Sequence, residues 1–410
     1  SMVIDVLNVD IAQNDTTICE GDSLVFSLDG IGNNTNCFGT TPSVINVPND
    51  YSTIQLAIDN ANQGDTIKIA QGTYLTSNLL INKIVHIVGA GMEQTIIDGQ
   101  NSRVIYIDVP PICQLYISNL KLTNGEANNY LNSPTNHASA LYVHHGNVKF
   151  NYVSIDNNDD NNCNTVALGN GTDSTFFTNC VVVNNDVENY AGLRNAHVEN
   201  CLLHSNNGWN NTSVLFSCDV INSTIVNNGG GASNPWTTGG ASGCEVNNSI
   251  IWGNGGASEC YSCSSVEYSI IEGGYSGTGN LSSDPQLTGS YNLGSSSPAI
   301  DAGSPDLDGD GNDYLTDSDD QDPDGTRLDI GAYYYQQGPI VNSNSSNSQN
   351  YSAMLWSPTN ETTSTITVSP TTTTTYTVDV TSGNTTCQDS ITVTVNPIIN
   401  TSINSTVCDS

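Results

Sequence analysis

His197, Asp219 and Glu245 stand in equivalent places of three successive repeats, each directly before an apolar residue (Val198, Val220, Val246). Alternate side chains of a strand face opposite ways, so if those valines point inward, the three polar residues form an outward column with neighbours about 4.8 Å apart. An imidazole beside two carboxylates could exchange protons with a sugar hydroxyl or hold a metal ion. A polar solvent face, which any coiled sheet must have, would look the same. Glu199 and Glu267 fall in the adjoining column. On the neighbouring face a second outward column reads Val183, His204, Val226 and Trp252, beside Val181, Leu202, Ile250 and Ile270. Such a stripe, with Trp252 and His204 as its ligand-binding residues, could stack on a sugar ring or dock a partner. Otherwise it must be covered, by a loop, by the long excursion at 125–138 or by the domain the chain ends form.

A metal loop is the sharpest local motif. Asp306, Asp308 and Asp310 take positions 1, 3 and 5, Gly311 takes position 6, Asn312 follows, and Asp317 stands twelfth. Alternate carboxylates at this spacing converge on a hard cation, so Ca²⁺ is the expected cofactor, in a structural rather than a chemical role. The twelfth ligand is Asp where Glu is usual, and no flanking helices are evident. Eleven Asp fall between Asp301 and Asp329 inclusive, and they would repel one another without a cation. His144 and His145 are adjacent; neighbours in a strand face opposite ways, so no shared role is expected of them. Cys260 and Cys263 make a lone Cys-x-x-Cys, which without a second pair reads as a local disulfide or free thiols.

The elements that carry these residues come from a repeat. An inward apolar residue (Phe150, Phe177, Val198, Val220, Val246, Val266) recurs every 20 to 27 residues. Asn or Tyr follows two places later (Tyr152, Asn179, Asn200, Asn222, Asn248, Tyr268), and three further comes an aliphatic column from Ile155 to Ile271. Asn fills the turn at 158, 185, 206, 228 and 254. The period is too short for helix pairs and suits one coil of a parallel β-helix. Cys180 and Cys201 share an inward position that Ser223, Ser249 and Ser269 continue, and Cys218 and Cys244 share another; at coil spacing these could remain buried thiols. Before the coils, Ser52-Thr53-Ile54-Gln55 reads as a capping box for a helix with Ile54, Ala57, Ile58 and Ala61 on one apolar face. That helix would cover the open end of the stack.

Seven Lys and Arg face 41 Asp and Glu, a formal net charge of −34. Such a balance argues against nucleic acid and anionic membrane surfaces. No stretch is long and apolar enough for a membrane span, so no direct membrane insertion is expected. Twelve Cys and a surface of Ser, Thr, Asn and Gly favour an exported protein. Ser1-Met2 reads as a cloning remnant. Residues 3–40 and 340–397 alternate as short strands, and the simplest account is one β-sandwich formed by both chain ends, with the β-helix of 44–335 inserted and Cys19 paired with Cys387. Residues 398–410 echo the region around Cys19 and look like the start of a following module.

These ends resemble the repeated Ig-like modules of large Bacteroidota surface and gliding-type proteins. Residues 44–100 resemble the opening of right-handed β-helices of the pectate-lyase-like superfamily. The stretch Ser297-Pro298-Ala299-Ile300-Asp301-Ala302-Gly303, with Leu328-Asp329-Ile330-Gly331-Ala332-Tyr333, resembles the terminal motif of exported β-helix proteins of the choice-of-anchor Q type, and it is expected to close the helix. The resemblance implies an extracellular or outer-surface protein: all-β, a right-handed parallel β-helix with an N-terminal capping helix, inserted into an Ig-like β-sandwich. It implies no single reaction. Arg103, Lys121, Lys149 and Arg194 do not cluster in the register as a lyase would need. Asp159-Asp160 and His145-Gly146 stand in the wrong order for the polygalacturonase pattern. The expected function is adhesion or glycan binding, with a glycan or cell-surface ligand and neighbouring Ig-like modules as partners. The rivals are a polysaccharide lyase or glycoside hydrolase acting through His197, Asp219 and Glu245, and a passive stalk.

Overall fold

A computed structural model describes residues 42–337 apart from 112, 127–137, 161–164, 173, 188–189, 209–213, 231–237 and 318–319, together with strands at 17–18, 351–357, 374–382 and 385–395. The chain divides into two compact units, residues 34–338 and residues 1–33 with 339–410.

In the larger unit every named strand pairs in parallel, and three sheets stack as the sides of a parallel β-helix. Sheet 1 runs from Val44–Val47 through Thr66–Ile69, His86–Val88, Thr175–Thr178, His197–Glu199, Asp219–Ile221 and Glu245–Asn247 to Ser265–Glu267. Sheet 2 runs from Gly72–Leu75 and Thr95–Asp98 through Val181–Val183, Leu202–His204, Thr224–Val226 and Ile250–Trp252 to Ile270–Ile271. The long strands Gln114–Thr123 and Asn147–Asp156 pass through the corner and serve both sheets. Sheet 3 has eight strands, from Leu79–Ile81 to Ser258–Tyr261. A four-stranded ribbon of two-residue strands, Asp159–Asp160 to Gly229–Gly230, lines the corner between sheets 2 and 3.

Corners recur because the sequence repeats residues that tolerate positive φ. Between sheets 1 and 2 the left-handed residue is Asn119, Tyr152, Asn179, Asn200, Asn222, Asn248 or Tyr268, with φ between 45° and 58°. Asn accepts this region more readily than most residues, which accounts for its dominance there. The expected Asn column then turns inward and is buried. Asn158, Asn185, Asn206 and Asn228 each donate Nδ2–H to the Oδ1 of the next Asn, at 3.0, 2.8, 2.9 and 2.7 Å. Each of those oxygens also accepts the backbone N–H of the Asn before it. A second ladder runs from the Cys180 N–H to Cys201 Sγ, then from successive N–H groups to Ser223, Ser249 and Ser269 Oγ. Polar groups at the corners are thereby satisfied without water, as burial demands. Between the corners the core is aliphatic, with Phe150 and Phe177 stacked at 4.7 Å.

The helix spans Ile54–Asn60 and starts one residue later than the capping box implies. Thr53, not Ser52, is the N-cap, accepting the Leu56 N–H at 3.2 Å. Gln55 does not reach back; it accepts the Leu80 N–H and donates to Asp59. Ile54, Ala57, Ile58 and Ala61 are buried with Ile45, Ile67 and Leu79 in the main core.

The terminal segment departs from expectation. Described residues within 281–302 and 330–335 pack on the outer side of sheet 2. Leu293, Ala299 and Ile330 bury Leu202, Val226, Ile250 and Ile270. Hydrogen bonds that pin it include Gly331 N–H to Asn248 O, Asn248 Nδ2–H to Asp329 O, Ser304 N–H to Asn248 Oδ1 and Ala332 N–H to Thr224 Oγ1. Close approach explains the two glycines of the terminal motif: a Cβ on Gly303 would meet Asn248 Oδ1 at 2.3 Å, and one on Gly331 would meet Thr224 Oγ1 at 2.8 Å.

In the smaller unit Tyr351–Ser357, Thr374–Ser382 and Thr385–Val395 form an antiparallel meander, and Thr17–Ile18 pairs in parallel with the last strand. Among the described residues these strands make one sheet. Cys19 lies outside them, and so does the pairing expected with Cys387. Residues 398–410 lie outside them as well.

Candidate functional site

The outward side chains of sheet 1 stand in one column, and the register fixes its order as His86, Tyr116, Lys149, Phe176, His197, Asp219, Glu245. The column is half-buried to exposed throughout, while the residue after each member is buried. His197, Asp219 and Glu245 are therefore brought together on one face, as the alternation requires. The aromatic half was missed, although Phe176 and Tyr116 precede Phe177 and Ile117 as His197 precedes Val198. Neighbours touch along the ladder. The His86 and Tyr116 rings are 5.1 Å apart, Lys149 Nζ lies 5.3 Å from the Phe176 ring, and Phe176 and His197 are 5.4 Å apart.

His197 is the electrostatic centre of the column. Its Nδ1 is 2.8 Å from Asp219 Oδ2, and its Nε2 is 3.8 Å from Glu199 Oε2. Burial disfavours the imidazolium, but hydrogen bonds and charge from Asp219 and Glu199 outweigh it, and the His197 pKa is pushed up to about 9. At neutral pH His197 is thus a cation held between two carboxylates and has no free lone pair with which to act as a general base. The group can position and donate; it cannot begin a proton abstraction without breaking its own ion pairs.

The stripe on sheet 2 is not an open platform. Leu202, Val226 and Ile250 are buried, and Trp252 packs at the edge of the cluster formed with the terminal segment. His204 meets the Tyr291 ring at 4.5 Å, and burial lowers its pKa. Trp252 and His204 are half-buried there, because the terminal segment packs on the face that carries them, the covered alternative for this stripe. The terminal segment supplies cover there, and the 125–138 excursion falls mostly outside the described residues.

In the acidic cap, one carboxylate oxygen each from Asp306, Asp308 and Asp310 lies within 4.8 Å of the others. Asp306 accepts the Gly309 and Gly311 N–H groups, and Asp308 and Asp310 accept N–H groups two residues on. Asn312 donates its Nδ2–H to Asp310 Oδ2 at 2.8 Å. Asp320, which the twelve-residue spacing overlooks, is buried beside the loop. Its Oδ1 accepts the Leu307 N–H, and its Oδ2 is buried without a hydrogen bond. Burial and the charges of Asp306, Asp308 and Asp317 raise its pKa. A buried carboxylate oxygen lacking a donor amid acidic neighbours is what a hard cation would satisfy. The same cap buries a second carboxyl pair. Asp322 accepts the Asp329 N–H, and burial with the charges of Asp329 and Asp324 lifts it to about 8.

Sheet 3 overturns the expectation for His144 and His145. Both converge on Asp108, with Nδ1 atoms 3.5 and 2.8 Å from Asp108 Oδ1. The register slips between Val143 and His145 opposite Ile107 and Asp108. This bulge brings two successive side chains to one partner. Cys180, Cys201, Cys218, Cys244, Cys260 and Cys263 all carry free thiols.

No helix among the described residues is long and apolar enough to cross a membrane. No protein-family model and no curated protein matches the chain. Solved structures similar to it include pectin methylesterase PemA from Erwinia chrysanthemi, 14% identical over 56% of this chain and 80% of that one, with a TM-score of 0.27. A pectin methylesterase in complex with a hexasaccharide is 15% identical over 51% of this chain and 72% of that one, with a TM-score of 0.26. ORF18 of Geobacillus virus E2 is 14% identical over 56% of each chain, with a TM-score of 0.24.

Proposed function

We propose that the outer face of sheet 1 binds a glycan laid along the coil axis, and that the chain is an adhesion module of a larger surface protein. The single observation behind this reading is the unbroken ladder of Tyr116, Lys149, Phe176, His197, Asp219 and Glu245. Aromatic faces accept the apolar side of a sugar ring, while carboxylates and cations one coil away hydrogen-bond its hydroxyls. Ladder rungs spaced about 4.8 Å apart repeat on the scale of a sugar unit. The ion-paired state of His197 argues for binding over turnover. Ca²⁺ completes the reading as a structural ion held by Asp306, Asp308, Asp310, Asp317 and Asp320, tying the cap to itself. An extracellular setting suits a calcium-dependent, strongly acidic module, and adjoining Ig-like modules would be its neighbours in the parent chain.

The test is a glycan panel read for retention and for new reducing or unsaturated ends. A glycan should bind uncut, and Phe176→Ala and Tyr116→Ala should each weaken it at least tenfold, with unchanged melting. Product release that stops in Asp219→Asn would establish the lyase or hydrolase reading instead. Binding indifferent to both aromatic substitutions would remove this face from consideration.

A further inference from the structure

We propose that Asp108, His144 and His145 form a binding site for a borderline divalent transition metal, Zn²⁺ or a close relative, on sheet 3. This site is separate from the acidic cap and independent of the glycan reading. The geometry rests on three points.

The first is convergence. One ligand atom from each of the three side chains lies within 4.8 Å of the other two. A tetrahedral ion with bonds of about 2.0–2.2 Å sets its ligand atoms roughly 3.3–3.6 Å apart. The His144–Asp108 separation of 3.5 Å already meets this, and the His145–Asp108 separation of 2.8 Å needs only the lengthening that follows when a metal displaces the shared proton. The two imidazole rings are 3.9 Å apart, centre to centre. Two His and one carboxylate make a mixed N and O donor set, which suits Zn²⁺ and its neighbours better than Ca²⁺ or Mg²⁺.

The second is an unanswered donor. His144 Nδ1 is shielded from solvent and makes no hydrogen bond; Asp108, at 3.5 Å, is the carboxylate it faces. A ring nitrogen shielded from water and lacking a hydrogen bond is costly, and metal ligation answers it.

The third is rigidity behind an open front. His144 stacks near-parallel on Tyr106 at 6.0 Å and meets Tyr142 edge-on at 5.7 Å. The Arg103 guanidinium lies over both tyrosine rings, at 5.6 and 5.5 Å, and Arg103 Nε–H is bound to Ala138 O. This shelf holds His144 in place, as the surroundings of a metal ligand must. The side chains of Asp108 and His145 remain 44% and 61% exposed. The outer coordination positions are therefore left to water or to an external donor, as in an open site.

The experiment is calorimetric titration of the full chain with Zn²⁺, in excess Ca²⁺ so that the acidic cap does not compete. One Zn²⁺ should bind per chain. Affinity should fall at least tenfold in His145→Ala, and in Asp108→Asn, which preserves shape should the alanine variant melt early. His197→Gln should leave it unchanged. Co²⁺ should develop a visible ligand-field spectrum that the Asp108→Asn variant loses. No binding at one equivalent, or binding of equal strength in the His144→Ala/His145→Ala double variant, would overturn the proposal.

Discussion

His197 illustrates how one residue's neighbours decide what it can do. In isolation an imidazole titrates near neutrality and is the natural proton shuttle. Held by Asp219 and Glu199 it becomes part of a charge cluster, with its pKa at about 9 against 6.5 when free. A raised histidine pKa contributes stability that is complete below the unfolded value and disappears as pH climbs through the folded one. The melting temperature should therefore fall between about pH 6.5 and 9 by more in the native chain than in His197→Gln. Paired melts across that window check this, and parallel profiles would mean that the ion pairs contribute nothing. The column was legible from sequence because His197, Asp219 and Glu245 each precede a core valine. Its aromatic half shares that rule, since Phe176 directly precedes the inward Phe177, but an aromatic residue beside a core position reads as more core; Tyr116 lies ahead of the regular repeat. His144 and His145 were misread for a different reason. Strand alternation holds only where pairing is regular, and the bulge opposite Asp108 depends on a partner strand some 35 residues away, which no local pattern encodes.

At the level of elements, the corners carry the specificity of the fold. The Asn column was visible as a repeat, but its burial was not, because turn asparagines are usually solvated. Asn206 shows what the ladder demands. Its Oδ1 accepts the Asn185 N–H and Nδ2–H, and its Nδ2 donates to Val182 O and Asn228 Oδ1. Replacing it with Ala removes four buried hydrogen bonds. Asn228 Oδ1 keeps the backbone N–H of residue 206 and Asn185 Nδ2 keeps Ile155 O, but the Asn185 N–H loses its acceptor, and a buried group left unsatisfied costs about 1–3 kcal/mol. Urea unfolding of Asn206→Ala should show a loss of at least about 3 kcal/mol. Asn184, the residue before ladder member Asn185, is exposed with φ of 54°, so Asn184→Gly should change stability by less than about 1 kcal/mol. Equal losses at the two positions would mean that the ladder bonds are not what holds the corner. The terminal segment was harder to place. Its Leu, Ala and Ile residues follow no period, so nothing in the sequence indicates that they return to sheet 2 and cover Trp252 and His204.

For the whole molecule the decisive quantity is charge. With 41 acidic and seven basic residues, few carboxylates can find a cationic partner, and the acidic cap concentrates that imbalance. If Ca²⁺ binds there, stability becomes a function of its concentration, rising by about 2.7 kcal/mol at a hundredfold excess over Kd. The native chain should melt several degrees higher in Ca²⁺ than in EDTA, at roughly 2–4 °C per kcal/mol for a domain of this size. Asp320→Asn separates the possibilities. It relieves repulsion with Asp306, Asp308 and Asp317, so it should raise the melting temperature in EDTA while removing most of the Ca²⁺ increment. A full increment in that variant would remove Asp320 from the ion's ligands. The loop's carboxylates could be read from their spacing. Asp320 could not, since it reaches the loop through the fold rather than through the twelve-residue frame.

The asparagine ladder has a direction. Every rung turns its carbonyl toward the first coils and its NH₂ toward the last, so the side-chain dipoles add head to tail, as peptide units do along a helix. The positive end of this row falls at Asn254, and there the residue that accepts is no longer an amide but the buried carboxyl of Glu259, which takes both the backbone and the side-chain N–H of Asn254. Burial, together with Glu272, lifts that carboxyl to about 7 despite the two donors. The stack is therefore electrically polar along its axis, with an ionisable group set at the terminus where the accumulated potential is greatest. Charge arriving or leaving at Glu259 would be felt by the row of amides behind it, coil after coil, toward Asn158.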